Sequence, residues 1–422
     1  MPNSVSRTEI ADGIGFTSVI DSKFKTVTIR VKFVTELKKE KVSANALALS
    51  VIASSNSEYK TMTELSARTD ELYGASLFSN VSKSGDVQVL EIGASVINNK
   101  YAFDNEDITG GILDLLDCCI FRPDVSDNSF NEKEFKYRKK DLLDTIDSEI
   151  NNKRIYILQK SAGVIFENEP ASCSSYGTRE TAENLTSAEV YQAYCELLET
   201  AGIEIYYVAS EEIPQIRESF EKSFKALKRR YMPFTVGSPS PLKSECARKV
   251  EKIDVNQMKM VMAYKTDCSN KPAMKLMNMM LGGSPTSKLF TNVREKMSLC
   301  YYCTSTIFMT KQTLMIDCGI EKENLEKTEK AVDEQLEQIK NGEFTDDEIR
   351  YSVLAMTDAL RGIGDTPSSY INWYFSRMLL NESESVDKEI ENIKSVTRQQ
   401  IIDCAKSCKP DTVYIVTGSE ED

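Results

Sequence analysis

The chain runs through one order of elements twice, about 210 residues apart. In the first half an alternating run, Lys25 to Val34 (KTVTIRVKFV), leads to an apolar segment, Ser43 to Ala53 (SANALALSVIA). Val27, Ile29, Val31 and Phe33 alternate with Thr26, Thr28, Arg30 and Lys32, the period-two signature of a half-buried strand. Segment 43–53 is apolar almost all round, as a helix buried on several sides is. A second helix, Thr63 to Tyr73, ends at Gly74, which can take a left-handed cap. Strands at 75–82 and 87–97 then meet across the turn formers Ser84, Gly85 and Asp86. Helices are expected at 108–121, 132–150 and 154–166, and a Thr186-x-x-Glu189 capping box opens another. The strand IEIYYVA (203–209) and a helix over 214–230 complete this half.

The segment MPFTVGSPSPLKS, with three prolines, a glycine and several serines, reads as a linker over residues 232–244. It separates an N-terminal domain, 1–231, from a C-terminal one, 245–422. Beyond it MKMVMAYKT (258–266) answers the first long strand, AMKLMNMML (273–281) the buried helix, and SKLFTNVREKM the helix after it. Strands near 300–308 and 313–319 are followed by helices at 324–340, at 346–360 behind the Thr345-x-x-Glu348 box, and at 369–380. A Thr397-x-x-Gln400 box then leads to the strand TVYIVTG (412–418). Matched order over two halves indicates a duplicated α+β architecture, each half an antiparallel-rich sheet with helices packed on one side.

A chain of 422 residues exceeds the size at which a single core keeps growing, so two domains suit it. It contains no histidine. That excludes Ser–His–Asp and Cys–His nucleophile arrangements and the zinc motifs HExxH and HxxEH. No Walker loop or strand-linked GxGxxG occurs, and no cofactor is expected. A net charge of −13 without a basic stripe argues against nucleic-acid binding. No run reaches the length of a membrane span, and MPNSVSRTEI lacks the pattern of an export signal, so a cytoplasmic protein is expected. Eleven cysteines, an odd number, suit reduced thiols. Cys300 with Cys303, and Cys404 with Cys408, have spacings that a four-thiolate zinc site can use, but residues three apart on a strand face opposite ways. Buried small hydrophobes are the plainer identity.

The stretch LGGSPTSKLFTNVREKMSLCYY (281–302) carries the densest chemistry. A helix over 285–297 would place Leu289, Val293 and Met297 on one stripe, with Arg294 on the adjoining face and Tyr301 just past its end. The same residue types also make an ordinary solvated face and a packed strand start. An Arg at a helix end and a Tyr heading a strand suit holding peptide carbonyls.

Leu281, Gly282, Gly283, Ser287, Leu289, Phe290, Arg294, Glu295, Leu299 and Tyr301 resemble the second-half pattern of the insulinase/pitrilysin family of zinc peptidases, LGG…S-x-LF…RE-x-x-GL-x-Y. The likeness, strongest for the processing-peptidase branch, spans about Phe24 to Gly418, and Ser298 stands where the pattern has glycine. By resemblance, Arg294 and Tyr301 contact substrate, and Gly282 and Gly283 shorten the glycine-rich loop that presents it in the non-catalytic processing-peptidase subunit. The family's HxxEH falls on Ala46, Leu49 and Ser50, none of which binds zinc or serves as a base. The downstream Glu ligand would lie in the helix containing Asp141, Asp144, Asp147 and Glu149, and its register is not fixed. The resemblance therefore implies a catalytically inactive homologue that pairs with a zinc-bearing paralogue, or with itself, and binds an extended peptide. A stand-alone peptide-binding scaffold and a hydrolase using Cys, Lys or carboxylates are the competing readings.

Overall fold

The structure, a computed structural model, describes residues 2–418. It divides into two compact units. Unit 1 comprises the described residues up to Ser148, then Cys173–Val236 and Ile363–Asn381. Unit 2 comprises Glu149–Ser172, Gly237–Gly362 and the described residues from Glu382 onward. Residues 149–172 and 363–381 thus belong to units opposite to the halves that a single cut at 232–244 assigns them.

Unit 1 contains β1 (Ser4–Ala11), β2 (Ile14–Ile20), β3 (Thr26–Glu36), β4 (Ser76–Ser84), β5 (Val87–Ile97), the two-residue strands β6 (Val125–Ser126) and β7 (Ser129–Phe130), and β8 (Gly202–Ala209). Its main sheet has the order β1-β2-β8-β3-β5-β4. Only β2 and β8 are parallel, and every other pair is antiparallel. The register sets Val31 opposite Ile92 and Ile205, so one face presents a continuous apolar row. Helices Val42–Ile52, Ile108–Phe121, Ser187–Thr200 and Pro214–Lys225 bury that row, which is where the unit's main core forms.

The second face of this sheet is covered as well. Tyr370, Ile371 and Phe375 of the helix Pro367–Leu379 pack on Val19, Val34, Val87 and Val89. Lys32, on the outward side of the strand pattern, is consequently only 4 % exposed. A buried ammonium needs a partner, and Glu91 accepts from both Lys32 and Arg30. Tyr370 likewise donates its hydroxyl to Asp21 at 3.0 Å.

Unit 2 contains β9 (Ala247–Lys252), β10 (Met258–Lys265), β11 (Cys300–Phe308), β12 (Thr313–Ile320) and β13 (Lys409–Thr417). Their order, β11-β12-β10-β13-β9, reproduces β4-β5-β3-β8-β2, and the parallel pair, β13 with β9, falls in the matching place. The duplication read from the sequence is therefore also a duplication of sheet topology. Met260, Met262 and Tyr264 of β10 face the helices Lys271–Asn278, Leu325–Lys340 and Arg398–Ser407. Val261 and Ala263 face Ile157, Ala162 and Ile165 of the helix Lys153–Ile165 on the other side. Each sheet thus carries its helices chiefly on one face and one further helix on the other. Strands β1, β2 and β9 and the helix Val386–Lys394 lie outside the elements expected from the sequence.

Candidate functional site

The motif of residues 281–302 is irregular from end to end. The helix Lys271–Asn278, capped by the Asn270 side chain accepting from the Ala273 amide at 3.1 Å, passes into a π-helical turn at Met279–Gly283. The next helix is a π-helix over Leu289–Lys296, where an α-helix from Pro285 to Met297 was expected. Its last bond runs five residues back, from the Met297 amide to the Asn292 carbonyl at 2.9 Å. The wider turn explains the failure of the expected stripe. Leu289 and Val293 are fully buried, while Met297, set on the same row by α-helical spacing, is 46 % exposed. The helix closes through Ser298 at φ 53°, a left-handed backbone that costs a residue with a Cβ about 1–2 kcal/mol. Glycine in the resembled pattern meets that demand, and the serine here does not.

Gly282 is a packing position. A Cβ there would lie 2.7 Å from the Ser305 backbone nitrogen on β11 and 2.7 Å from Leu289 Cδ1. It is buried in the π turn, so it does not sit in a presenting loop; Gly283 beside it is exposed. Two polar atoms in this neighbourhood, Asn278 Oδ1 and Ser287 Oγ, are buried without a hydrogen-bond partner.

Arg294 and Tyr301 both reach the surface. The Arg294 guanidinium stacks 4.6 Å from the Phe290 ring and lies 3.5 Å from the Glu295 carboxylate. Tyr301, 57 % exposed, occupies a β-bulge, since the register between β11 and β12 shifts between Cys300 and Tyr302. Its hydroxyl donates to Glu321, and that carboxylate holds the phenol above its ordinary pKa. Glu321 was not singled out from the sequence. The signal for it is the hairpin register, which sets Cys300 opposite Ile320 and so brings Tyr301 to the end of β12.

The positions that the resemblance assigns to zinc lie on the helix Val42–Ile52. Ala46 is 5 % and Leu49 3 % exposed, Ser50 is half-buried, and the three offer a single hydroxyl. The polar residues that this helix does bury are committed elsewhere. Asn45 donates to Gln88 at 2.9 Å, Gln88 donates to the Val42 carbonyl at 2.9 Å, and Ser43 shares a hydrogen bond of 2.7 Å with Thr181. On the helix Glu132–Ser148, Asp141 pairs with Arg138 at 2.9 Å and Asp147 with Arg179 at 2.5 Å. These residues do not fit a zinc ion. Among the described residues one group could offer three metal ligands, Glu58, Asp114 and Cys118. The Arg122 guanidinium already fills it, bonding Glu58 and, at 2.7 Å, Asp114. Burial pushes the Cys118 thiol up to about 12, so it stays protonated. Cys300 and Cys303 lie on β11 while Cys404 and Cys408 sit at the end of the helix Arg398–Ser407, and these four thiols are not brought together as one ligand set.

Fold and site together define a duplicated α+β protein that retains the second-half peptidase motif and has no metal-binding set on its first buried helix. Residues 184–356 match the family model described as the peptidase M16 inactive domain. The chain is 26 % identical over 402 residues to "probable inactive metalloprotease YmfF" of Bacillus subtilis (strain 168), a match covering 94 % of each chain. Among solved structures it is similar to a conserved protein from Enterococcus faecalis V583, with TM-score 0.92, 24 % identity and 99 % of both chains covered. A peptidase M16 inactive domain from Pseudomonas fluorescens superposes with TM-score 0.81 at 16 % identity over 99 % of both chains. A protease from Helicobacter pylori gives TM-score 0.81 at 14 % identity over 99 % of this chain and 100 % of that one. Residues 184–356 are thus similar to the peptidase M16 inactive domain, and nearly the whole chain is similar to a probable inactive metalloprotease. No helix among the described residues is long and apolar enough to cross a membrane.

Proposed function

We propose that this protein is the non-catalytic partner of a zinc-bearing M16 paralogue in the cytoplasm, and that it holds an extended peptide for that partner to cut. The observation that carries this reading is the one-sidedness of the loss. The three metal positions have become Ala46, Leu49 and Ser50, whereas half-buried Arg294 and exposed Tyr301 both reach the surface, each paired with one carboxylate. A guanidinium and a phenol in that state can exchange those partners for peptide carbonyls at little cost, since exposed ion pairs contribute at most about 1 kcal/mol. β11 is the terminal strand of its sheet, the kind of element against which an extended peptide adds as a further strand. The odd number of cysteines and the absence of histidine agree with a reduced, non-catalytic chain.

The test is co-expression with a paralogue that carries HxxEH. A stable complex is expected on size exclusion, and Arg294→Ala should lower the kcat/KM of the pair by about tenfold or more, through KM. Absence of a complex, or unchanged peptidase activity with Arg294→Ala, overturns the reading.

A further inference from the structure

The bulge at Tyr301 also reverses the side-chain parity of β11. In an unbroken strand Cys300 and Cys303 would face opposite sides. The register instead places Cys300 opposite Ile320 and Cys303 opposite Cys318. Ile320 and Cys318 are alternate residues of β12 and share a face, so Cys300 and Cys303 share it too. The Sγ atoms of Cys303 and Cys318 are 3.0 Å apart, and Cys300 is the neighbouring residue of β11 on that face. The three thiols thus share one face of the hairpin, graded from half-buried Cys300 to buried Cys303 and Cys318.

We propose that these three residues form an oxidation site, at which a hydroperoxide reacts with Cys300 and the oxidising equivalent passes inward to leave a Cys303–Cys318 cross-strand disulfide.

Entry at Cys300 follows from its surroundings. The neighbouring Cys303 thiol and the charge of Arg294 hold the Cys300 thiol below its ordinary value, while the thiols of Cys300 and Cys318 together with burial push that of Cys303 up. A thiolate that solvent can reach is the form that reacts with peroxides. In the first step the Cys300 sulfur attacks one peroxide oxygen, the O–O bond breaks, and the hydroperoxide is reduced to alcohol or water as Cys300 becomes a sulfenic acid. In the second, the Cys303 sulfur attacks that of Cys300; hydroxide leaves with the Cys303 proton as water, and a Cys300–Cys303 disulfide forms. In the third, the Cys318 sulfur attacks that of Cys303, and Cys300 departs, taking the proton from Cys318. The strands need to close by about 1 Å, since facing Cβ atoms lie about 4.5–5.5 Å apart and a disulfide prefers about 3.8 Å.

The reduced full-length chain is treated with one equivalent of hydrogen peroxide, its free thiols are alkylated, and its peptides are mapped by mass spectrometry. The expected product is a Cys303–Cys318 disulfide that dithiothreitol reverses, with exposed Cys246 still alkylated. Cys300→Ser should slow its formation by about tenfold or more, and Cys246→Ser should leave it unchanged. Should Cys300→Ser fail to fold, dimedone treatment of peroxide-exposed Cys303→Ser is expected to label Cys300. Oxidation at Cys246 with all three thiols still alkylatable overturns the site. A disulfide forming at the wild-type rate in Cys300→Ser, or no dimedone adduct at Cys300, overturns the relay.

Discussion

The two buried helices that open the repeated order have diverged in opposite directions. In unit 1 the helix Val42–Ile52 is regular, and its polar side chains are absorbed by neutral hydrogen bonds to Gln88 and Thr181. In unit 2 the helix Lys271–Asn278 runs into a π turn and is followed by a π-helix, a left-handed serine and a β-bulge, with two buried polar atoms left without partners. Each such departure costs stability, and departures of this kind gather where a site dictates the backbone. Unit 1 is not free of such features, since Ser55 Oγ just beyond its helix is also buried without a partner and β1 shifts register between Glu9 and Ala11. What sets unit 2 apart is that π turn, left-handed serine and bulge fall together in the one segment that carries Arg294 and Tyr301.

Three experiments bear on that contrast. The largest effect is expected from rebuilding the zinc motif as Ala46→His, Leu49→Glu and Ser50→His. Placing a carboxylate where Leu49 is buried, without a cation to meet it, should cost about 4 kcal/mol in urea unfolding, with no stoichiometric zinc by elemental analysis. One zinc per chain at undiminished stability would mean that unit 1 is still a metal scaffold, and the contrast would fail. In unit 2, Gly282→Ala forces a methyl against the β11 backbone and should cost about 2 kcal/mol, whereas Gly283→Ala, whose nearest atom is 3.3 Å away, should change stability by about 0.5 kcal/mol or less. Equal losses would show that the close approach at Gly282 does not restrain the π turn. The smallest effect is a gain: Ser298→Gly should raise the unfolding free energy by about 0.5–1 kcal/mol by removing a Cβ from a left-handed position. A loss there would indicate that the bond from Ser298 Oγ to the Glu295 carbonyl outweighs the backbone term.

Much of the fold was legible because it rests on period and punctuation. Val27, Ile29, Val31 and Phe33 mark β3, and the boxes at Thr186, Thr345 and Thr397 open helices with both reciprocal hydrogen bonds formed. The hairpin of β1 and β2 was missed although it turns at Asp12 and Gly13, with Gly13 at φ 65°, a dipeptide that commonly signals a tight turn. β9 was missed because ARKVEK is mostly exposed and has no apolar alternation to detect. The burial of Lys32 was hidden for another reason, since the residues that cover it lie in the helix Pro367–Leu379 and no local pattern reports them. At the candidate site, residue types pointed to Arg294 and Tyr301, but α-helical spacing misplaced Met297 and strand parity separated Cys300 from Cys303. Each error came from assuming a regular period where the backbone inserts a residue.

The helix at residues 367–379 also sets a timetable for synthesis. Until about residue 380 has left the ribosome, the surface formed by Val19, Val34, Val87 and Val89 has only Phe234 and Val236 to cover it in part, although every strand beneath has already been made. A nascent chain paused inside unit 2 would hold unit 1 greasy on one side, a substrate for chaperones, and expression of residues 1–231 alone would reproduce that state permanently.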